Sequence, residues 1–573
     1  MRLACRNGCR SGTKLRRTKN KVKAIRARIA TTLGAIILIA DCFSTVQPIA
    51  FAQTTTQSKN SESDSSASPE SDPSSANKVN AEVLQELERM RARIEELETQ
   101  LKQASAVATT SKAESSTQNG RPNQELTGIP AATPLLQPVA EQSVEAAPAT
   151  KPAKAEPFAF ADWTWLNGNP RTKQPAFDSK FFTPEIRADV DYIYDFNHPK
   201  DDTIGGSSEV FRSDEVHVTQ LGVGGDFHYD NVRARLMTQF GLYSQTTPRN
   251  DASPARGQWN LDNAYRYLSE AYGGYHFNAL HGVNVDAGIF LSYIGLFSFY
   301  NFDNWAYQPS YVSSNTPWFF NGVRVQIFPT AKLKIEPWFI NGWQSYGRFN
   351  NRPGVGGQIN WRPNASISII SNNYGVGADA LGNPNRTRLH TDNSIEVKYY
   401  DRPEKFLDRM AFSLTGDAGC ETGGGVSCLG NHGTDRKQSF LGYMFYNRFW
   451  FHKDLYGLTL GGGKINNPGR YLVLLPPING ATAASGTPYF TENPGDQFKA
   501  WDASASFDYM PSQYITFRWE FDHRAANVPY FSGLGGITPP GGNTGTPGSL
   551  VQGFAPDLRK IENRLDISLL VKF

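Results

Sequence analysis

No stretch of this 573-residue chain supplies the roughly 18 to 20 consecutive apolar residues that a bilayer-spanning helix needs. With a mean hydropathy of −0.46, a helical membrane bundle is excluded. Cysteine is scarce, at five residues, and three of them (Cys5, Cys9 and Cys42) fall within the first 52. Neither sign of charge dominates: 57 Lys and Arg stand against 54 Asp and Glu. Much of the basic excess lies in the first thirty residues, so nothing recommends a nucleic-acid partner. G-x-S-x-G and H-E-x-x-H are missing, and the nine histidines are scattered without an adjoining Ser or Cys. No cofactor is expected. An enzyme stays open only as a site assembled from distant strands.

What is present begins with an export pattern. A basic region (Arg16, Arg17, Lys19, Lys21, Lys23, Arg26, Arg28) leads into the apolar stretch 29–43, and Ala50-Phe51-Ala52 has the small-residue form of a cleavage site. Residues 1–52 therefore read as a signal peptide. The alternatives are a permanent helical anchor, which Asp41 interrupts, and a lipid-attachment cysteine at Cys42, which has Asp41 where a small residue is wanted. Removal of this segment leaves Cys420 and Cys428 flanking a glycine-rich stretch. In an oxidising compartment they are expected to form a loop disulfide, two free thiols being the alternative. No metal site is expected, because no His or Cys stands near them at ligand spacing.

Residues 53–76 are Ser, Thr, Asp and Glu-rich, too polar to bury a core, and read as a disordered tether. Across 77–104, Leu87, Ile94 and Leu101 take a positions and Val83, Met90 and Leu97 take d positions, the seam of a short coiled coil. Arg93-Ile94-Glu95-Glu96-Leu97-Glu98 resembles a trimerisation pattern. About three heptads are marginal alone, and a single surface helix is the alternative. Residues 105–157, rich in Ala, Pro, Ser, Thr and Gln, read as a linker.

From residue 158 to 573 the pattern changes to short alternating segments. In Glu185-Ile186-Arg187-Ala188-Asp189-Val190-Asp191-Tyr192 every second residue is charged, and the same alternation recurs at 232–236, 323–327, 394–399, 517–522 and 564–569. About sixteen strands follow, starting near residues 181, 216, 232, 266, 283, 318, 331, 354, 365, 390, 408, 437, 455, 498, 513 and 561. Their connections fall into two sets. One set is short: 230–231, 278–281, 329–330, 363–364, 403–407, 452–454 and 511–512. The other is long: 196–212, 245–262, 294–317, 376–389, 418–436, 466–497 and 524–560. A soluble sandwich has no reason to sort its loops this way, whereas a transmembrane antiparallel β-barrel does. Tyr192, Tyr229, Phe328, Phe449, Trp450, Phe451 and Tyr509, at strand ends, suit its aromatic girdles. The terminal Phe573 resembles the sorting signal of such barrels.

The stretch from Phe160 to Gly168 (FADWTWLNG), the segment Asn301-Phe302-Asp303-Asn304-Trp305 with the later Gly322-Val323-Arg324, and Asn341-Gly342-Trp343 resemble the OmpL-like family of outer-membrane β-barrel porins. The resemblance covers roughly residues 158–573. It implies a pore in the bacterial outer membrane but carries no substrate residues. An even strand count returns the C-terminus to the short-turn side, where the N-terminal linker also lies, and the N-terminal region is expected in the periplasm. Resemblance to general porins, together with the heptads, implies a homotrimer.

Charge is costly on a lipid face. Arg187, Asp189, Asp191, Arg233, Arg235, Asp286, Arg324, Lys332, Lys334, Glu336, Glu396, Arg518, Glu520, Asp522, Arg564 and Asp566 are therefore expected to face inward. Both signs together suggest a water-filled, transversely charged lumen passing small hydrophilic solutes. The third long loop, 294–317, is where general porins fold a loop inward. Its Asn301, Asp303, Asn304, Trp305 and Tyr307 form a possible constriction, wall packing without a ligand being the alternative. No separate plug precedes the barrel in this reading. A structural protein tying the outer-membrane lipid to the cell wall through the N-terminal region is the rival function.

Overall fold

The computed structural model describes Glu88, Arg91, Ala92, Thr99 and residues 156–573, except short stretches at 252, 254–255, 349–351, 376–384, 431–434, 469–473, 483–486 and 488–495. The four isolated positions are helical. The export segment, tether, heptad seam and linker otherwise lie outside the described residues.

The strands are β1 (Phe182–Asp195), β2 (Val216–Tyr229), β3 (Val232–Thr238), β4 (Leu268–Phe277), β5 (Val283–Leu291), β6 (Phe319–Thr330), β7 (Leu333–Ile340), β8 (Gly354–Asn364), β9 (Ile367–Gly375) and β10 (Thr387–Asp401). They continue with β11 (Leu407–Thr422), β12 (Val426–Ser427), β13 (Arg436–Lys437), β14 (Ser439–Phe451), β15 (Tyr456–Asn467), β16 (Phe498–Ser512), β17 (Ile515–Ala526), β18 (Phe531–Ser532), β19 (Leu558–Arg559) and β20 (Ile561–Lys572). Sixteen of them close an antiparallel barrel in sequence order, while β12–β13 and β18–β19 form two small pairs in its long connections. Closure leaves no strand edge without a partner, the condition for β-structure in lipid. The seam is β1 against β20, from Arg187 opposite Lys572 to Asp195 opposite Arg564. Beyond it, Phe573 and Ile186 exchange both backbone hydrogen bonds.

Strand starts lie close to the alternation; the largest difference is β10, expected near 390 and beginning at Thr387. Three short turns are displaced, for one reason. Pro329, Pro363 and Pro511 suggest turns, yet each sits inside a strand at a register irregularity, and the chain reverses two residues later. Proline lacks the ladder N–H, so it is tolerated where the ladder is already interrupted.

The alternation sorts side chains as a membrane barrel requires. Ile186, Val223, Leu236, Val285, Phe339, Leu414, Phe445, Leu460 and Phe521 are exposed on the outer face, and their polar neighbours in sequence point in. At the short-turn rim aromatic rings pair: Phe181 with Tyr229 at 5.4 Å, Tyr509 with Phe517 at 6.0 Å and Tyr514 with Phe573 at 5.8 Å. Two residues expected in this girdle face inward instead. Trp450 is buried with its ring 5.6 Å from that of Trp305, and Phe328 lines an internal cavity. Aromatic identity at a strand end does not fix the face; register does.

Candidate functional site

The long connection between β5 and β6, residues 292–318, folds into the barrel. Tyr300, Asn301, Trp305, Ala306, Tyr307, Gln308 and Tyr311 are all nearly inaccessible. Its anchors lie on β4, on β1 and on the β14–β20 wall. Asn301 donates to Asp189 at 2.8 Å, and the Tyr307 hydroxyl donates to Asp189 at 3.0 Å and Asp191 at 3.2 Å. Asp303 pairs with Arg187 at 3.1 Å, and the guanidinium of Arg187 lies 3.9 Å from the Tyr300 ring centre. The backbone N–H groups of Tyr307 and Gln308 both donate to Glu520 at 2.7 Å. Gly463 on β15 makes room for this loop, since a Cβ there would lie 2.4 Å from Ser310 Oγ.

A buried Arg448–Asp508–Arg518 group completes the anchorage. Asp508 accepts from Arg518 Nε and Arg448 Nη2, both at 2.7 Å. The two guanidiniums then donate to loop carbonyls, Arg518 to Asn304 at 2.7 Å and Arg448 to Trp305 at 3.1 Å. Charge-assisted bonds to a loop's own backbone fix its path irrespective of its side chains.

A second segment also fills the lumen. Residues 156–181, ahead of β1, form a strap that starts and finishes at the short-turn rim. The Phe158 N–H donates to Ala331 O at 2.8 Å in the β6–β7 turn, and Arg171 Nη2 donates to Ser512 O at 2.8 Å beside the β16–β17 turn. Between these points Asp162 accepts from the Thr164 N–H at 2.9 Å and hydroxyl at 2.7 Å, a local turn that leaves Trp163 and Trp165 buried in the barrel. Burial pushes the Asp162 carboxyl up, but these bonds and Lys173 outweigh it and hold it near 2. Gly168 marks the closest approach of strap to loop: φ is +71°, and a Cβ would lie 2.3 Å from Leu296 O. Strap and loop are joined by the Trp305 N–H, which donates to Asn167 Oδ1 at 2.8 Å.

What remains open is a cavity of about 440 Å3 between strap, loop and the β5–β10 wall. Its lining runs from Phe328 and Arg362, near the short-turn rim, to Leu291 and Trp318 at the other ends of β5 and β6. Lys334, Gln326, Gln358, Asn360 and Glu396 project into it between those levels.

Most of the basic residues singled out from the sequence are paired with carboxylates. Arg187 joins Glu185 and Asp303; Arg233 joins Asp286 at 3.3 Å; Arg235 joins Glu185, Asp226 and Glu270. Arg324 pairs with Asp286 at 3.0 Å, Lys334 with Glu336, and Arg564 with Glu562 at 3.1 Å. Glu396 accepts the Asn167 N–H at 2.8 Å. Lys332 is exposed at the β6–β7 turn, its ammonium bonded to Pro363 O at 2.8 Å and 5.1 Å from the Phe160 ring. Alternation reports which way a side chain points, not what a loop puts in front of it. Cys420 and Cys428 are disulfide-bonded between the end of β11 and the β12 strand.

Glu520, Asp522 and Asp566 come within 4.8 Å of one another, close enough to share a cation. Glu520, however, already accepts the two loop N–H groups and the Ser506 hydroxyl. Arg564 lies 3.8 Å from Asp522 and 3.6 Å from Asp566. The trio is thus part of the loop's anchorage. On the long-loop side, Glu209 of the β1–β2 connection accepts from Gln308 Nε2 at 2.7 Å, and burial pushes its carboxyl up to about 7 against the pull of Ser208, Arg524 and Gln308.

Gln358, Asn360, Arg362, Arg448 and Asp508 went unselected in the sequence, although the first three alternate with Ile359 and Trp361 and the same rule would have turned them inward. Arg448 was masked by the aromatic run around it.

The profile of the family described as putative beta-barrel porin-2, OmpL-like, matches residues 187–548, more than half of the chain. The chain belongs to this family. It has a porin-type outer-membrane barrel fold and is placed in the outer membrane. The strap lies ahead of the matched residues. No curated protein matches significantly. Solved structures similar to this porin-family chain include OmpT, an outer membrane protein of Vibrio cholerae, at 9% identity and TM-score 0.38, covering 70% of this chain and 100% of that one. The outer membrane channel DcaP of Acinetobacter baumannii matches at 12% identity and TM-score 0.39, covering 70% and 100%. An anion-selective porin from Comamonas acidovorans matches at 11% and 0.38, covering 68% and 99%.

Proposed function

We propose that this chain is a porin, not an enzyme, through which small hydrophilic solutes diffuse passively, and that they follow the cavity along the β5–β10 wall. The supporting observation is the extent of that cavity. Its lining reaches both ends of β6 and carries Lys334, Arg362, Asn360, Gln358 and Glu396, whereas the opposite half of the lumen is filled by the anchored 292–318 loop. In this reading the inward-facing charges act in two ways: Lys334 and Glu396 line the path, and Arg187, Asp189, Asp191, Arg518, Glu520, Asp522 and Arg564 hold the constriction made by Asn301, Asp303, Asn304, Trp305 and Tyr307. The short-turn rim faces the periplasm, with the N-terminal heptad region on that side, and three copies assemble in the membrane.

The experiment is single-channel recording of the purified chain in a planar bilayer. Ohmic steps, grouped in threes, are expected. Folded protein that gives no steps would count against a diffusion pore, and steps only in single units, with one copy per particle by native mass, would count against the trimer.

A further inference from the structure

The charged side chains of the lumen are not all neutralised alike. Arg187, Arg235, Arg324, Arg448, Arg518 and Arg564 each lie within 4 Å of a carboxylate. Arg362 does not: among the described residues it forms no ion pair. Its guanidinium rests instead against the rings of Phe158 at 4.5 Å and Trp163 at 4.7 Å, both from the strap. Its Nε is buried without a hydrogen-bond partner. A guanidinium carries five donors and cannot shed its charge, so Arg362 brings to the wall of the 440 Å3 cavity a cation on which one carboxylate acts, that of Glu396, from beyond ion-pair distance.

Its surroundings favour one kind of occupant. Lys334 is a second cation of the lining, shared with Glu336, and the one acid of the lining, Glu396, is turned to the strap's Asn167 N–H. Next to Arg362 the Asn360 Oδ1 is also buried without a partner, and Gln358 and Gln326 add amide groups. Phe297, Phe299 and Trp318 add aromatic rings to the lining. Cation, amides and rings in a space of this volume suit a compact molecule with one anionic group and several hydroxyls.

We propose that Arg362 anchors a binding station for small hydroxylated organic acids within this cavity, with Asn360 and Lys334 completing it. The anion takes the free Arg362 donors, the amides bond its hydroxyls, and the rings face its C–H surface. The proposal deepens the pore reading by naming the class of solute, and rests on it for the station's place on a path.

The test uses the full chain with three probes of equal size: gluconate, glucose and glucosamine. In bilayers gluconate is expected to interrupt the current at a concentration about tenfold below that of glucose, the worth of one charge-assisted contact. Arg362→Gln should bring the two within about twofold. Asn360→Asp, which keeps Arg362 and its packing on the strap but adds a repelling charge, should do the same and covers the case in which R362Q does not fold. In parallel, tryptophan fluorescence of the detergent-solubilised protein is titrated with gluconate. Equal block by all three probes, or a gluconate preference unaltered in both folded variants, overturns the station while leaving the pore intact. No current, with a gluconate titration abolished by N360D, sinks the pore reading and keeps the station. Neither current nor gluconate-dependent fluorescence sinks both.

Discussion

The backbone N–H of Trp305 and the side-chain oxygen of Asn167 meet at 2.8 Å inside the barrel. One belongs to a connection between two strands, the other to a segment that precedes the first strand, so two independent parts of the chain share the occlusion of the lumen. Deleting residues 156–172 should therefore raise single-channel conductance about twofold or more, in line with the wide lumen of a sixteen-stranded barrel. Gly168→Ala is the milder version, because a Cβ there collides with Leu296 O; it should raise conductance by less. Conductance unchanged in both variants would mean that the strap does not limit flow.

Arg187 tests the loop's anchorage. Both it and Asp303 are buried, and Arg187→Ala leaves Asp303 without its cation and Glu185 with Arg235 alone. Removing one member of a buried pair costs about 3–5 kcal/mol. Urea unfolding of the folded barrel should show that loss, and current traces should become noisier as the loop is freed.

Glu209 gives a pH dependence of definite sign. Its folded value, raised to about 7, lies above the ordinary 4.5. Between those values the folded chain holds a proton that the unfolded chain has released, so stability falls as pH rises from about 4.5 to 7 and levels off above. Glu209→Gln has no such proton to lose. The difference in thermal midpoint between wild type and E209Q should shift in the variant's favour from pH 5 to pH 8; a constant difference would refute the assignment.

Reducing the Cys420–Cys428 bridge should act locally. It ties Cys420, near the end of β11 and opposite Leu389 and Ser439 in the barrel ladder, to Cys428, which follows β12 outside that ladder. Protease cleavage within 421–438 should accelerate while the unfolding midpoint of the barrel holds, as expected for a region that opens on its own.

Much of the barrel was legible because period-two alternation and loop length are local properties of the chain. Glu185 to Tyr192 announces its inward and outward faces residue by residue, and Asp230-Asn231 announces a tight turn. The site was less legible because it depends on contacts far apart in sequence. That the Tyr307 N–H would meet Glu520, or that Phe158 and Trp163 would flank Arg362, follows from where a loop and a strap come to rest, and neither leaves a periodic trace. Phe160 to Gly168 carries a family likeness, yet nothing in its composition distinguishes a segment lying inside a barrel from one lying outside. The prolines misled in a physical way: a residue that cannot donate to a ladder marks a turn or a flaw in the ladder equally well.

The strap leaves the barrel at the rim by which it came in. Its hold there consists of side-chain packing and a few hydrogen bonds, with no strand pairing of its own. Tension applied to the chain ahead of residue 156 would thus be spent on drawing Trp163 and Trp165 out along the barrel axis, and every strand pair would stay intact. In the proposed pore, mechanical load on the N-terminal side and permeability would then be linked through a motion that requires no unfolding.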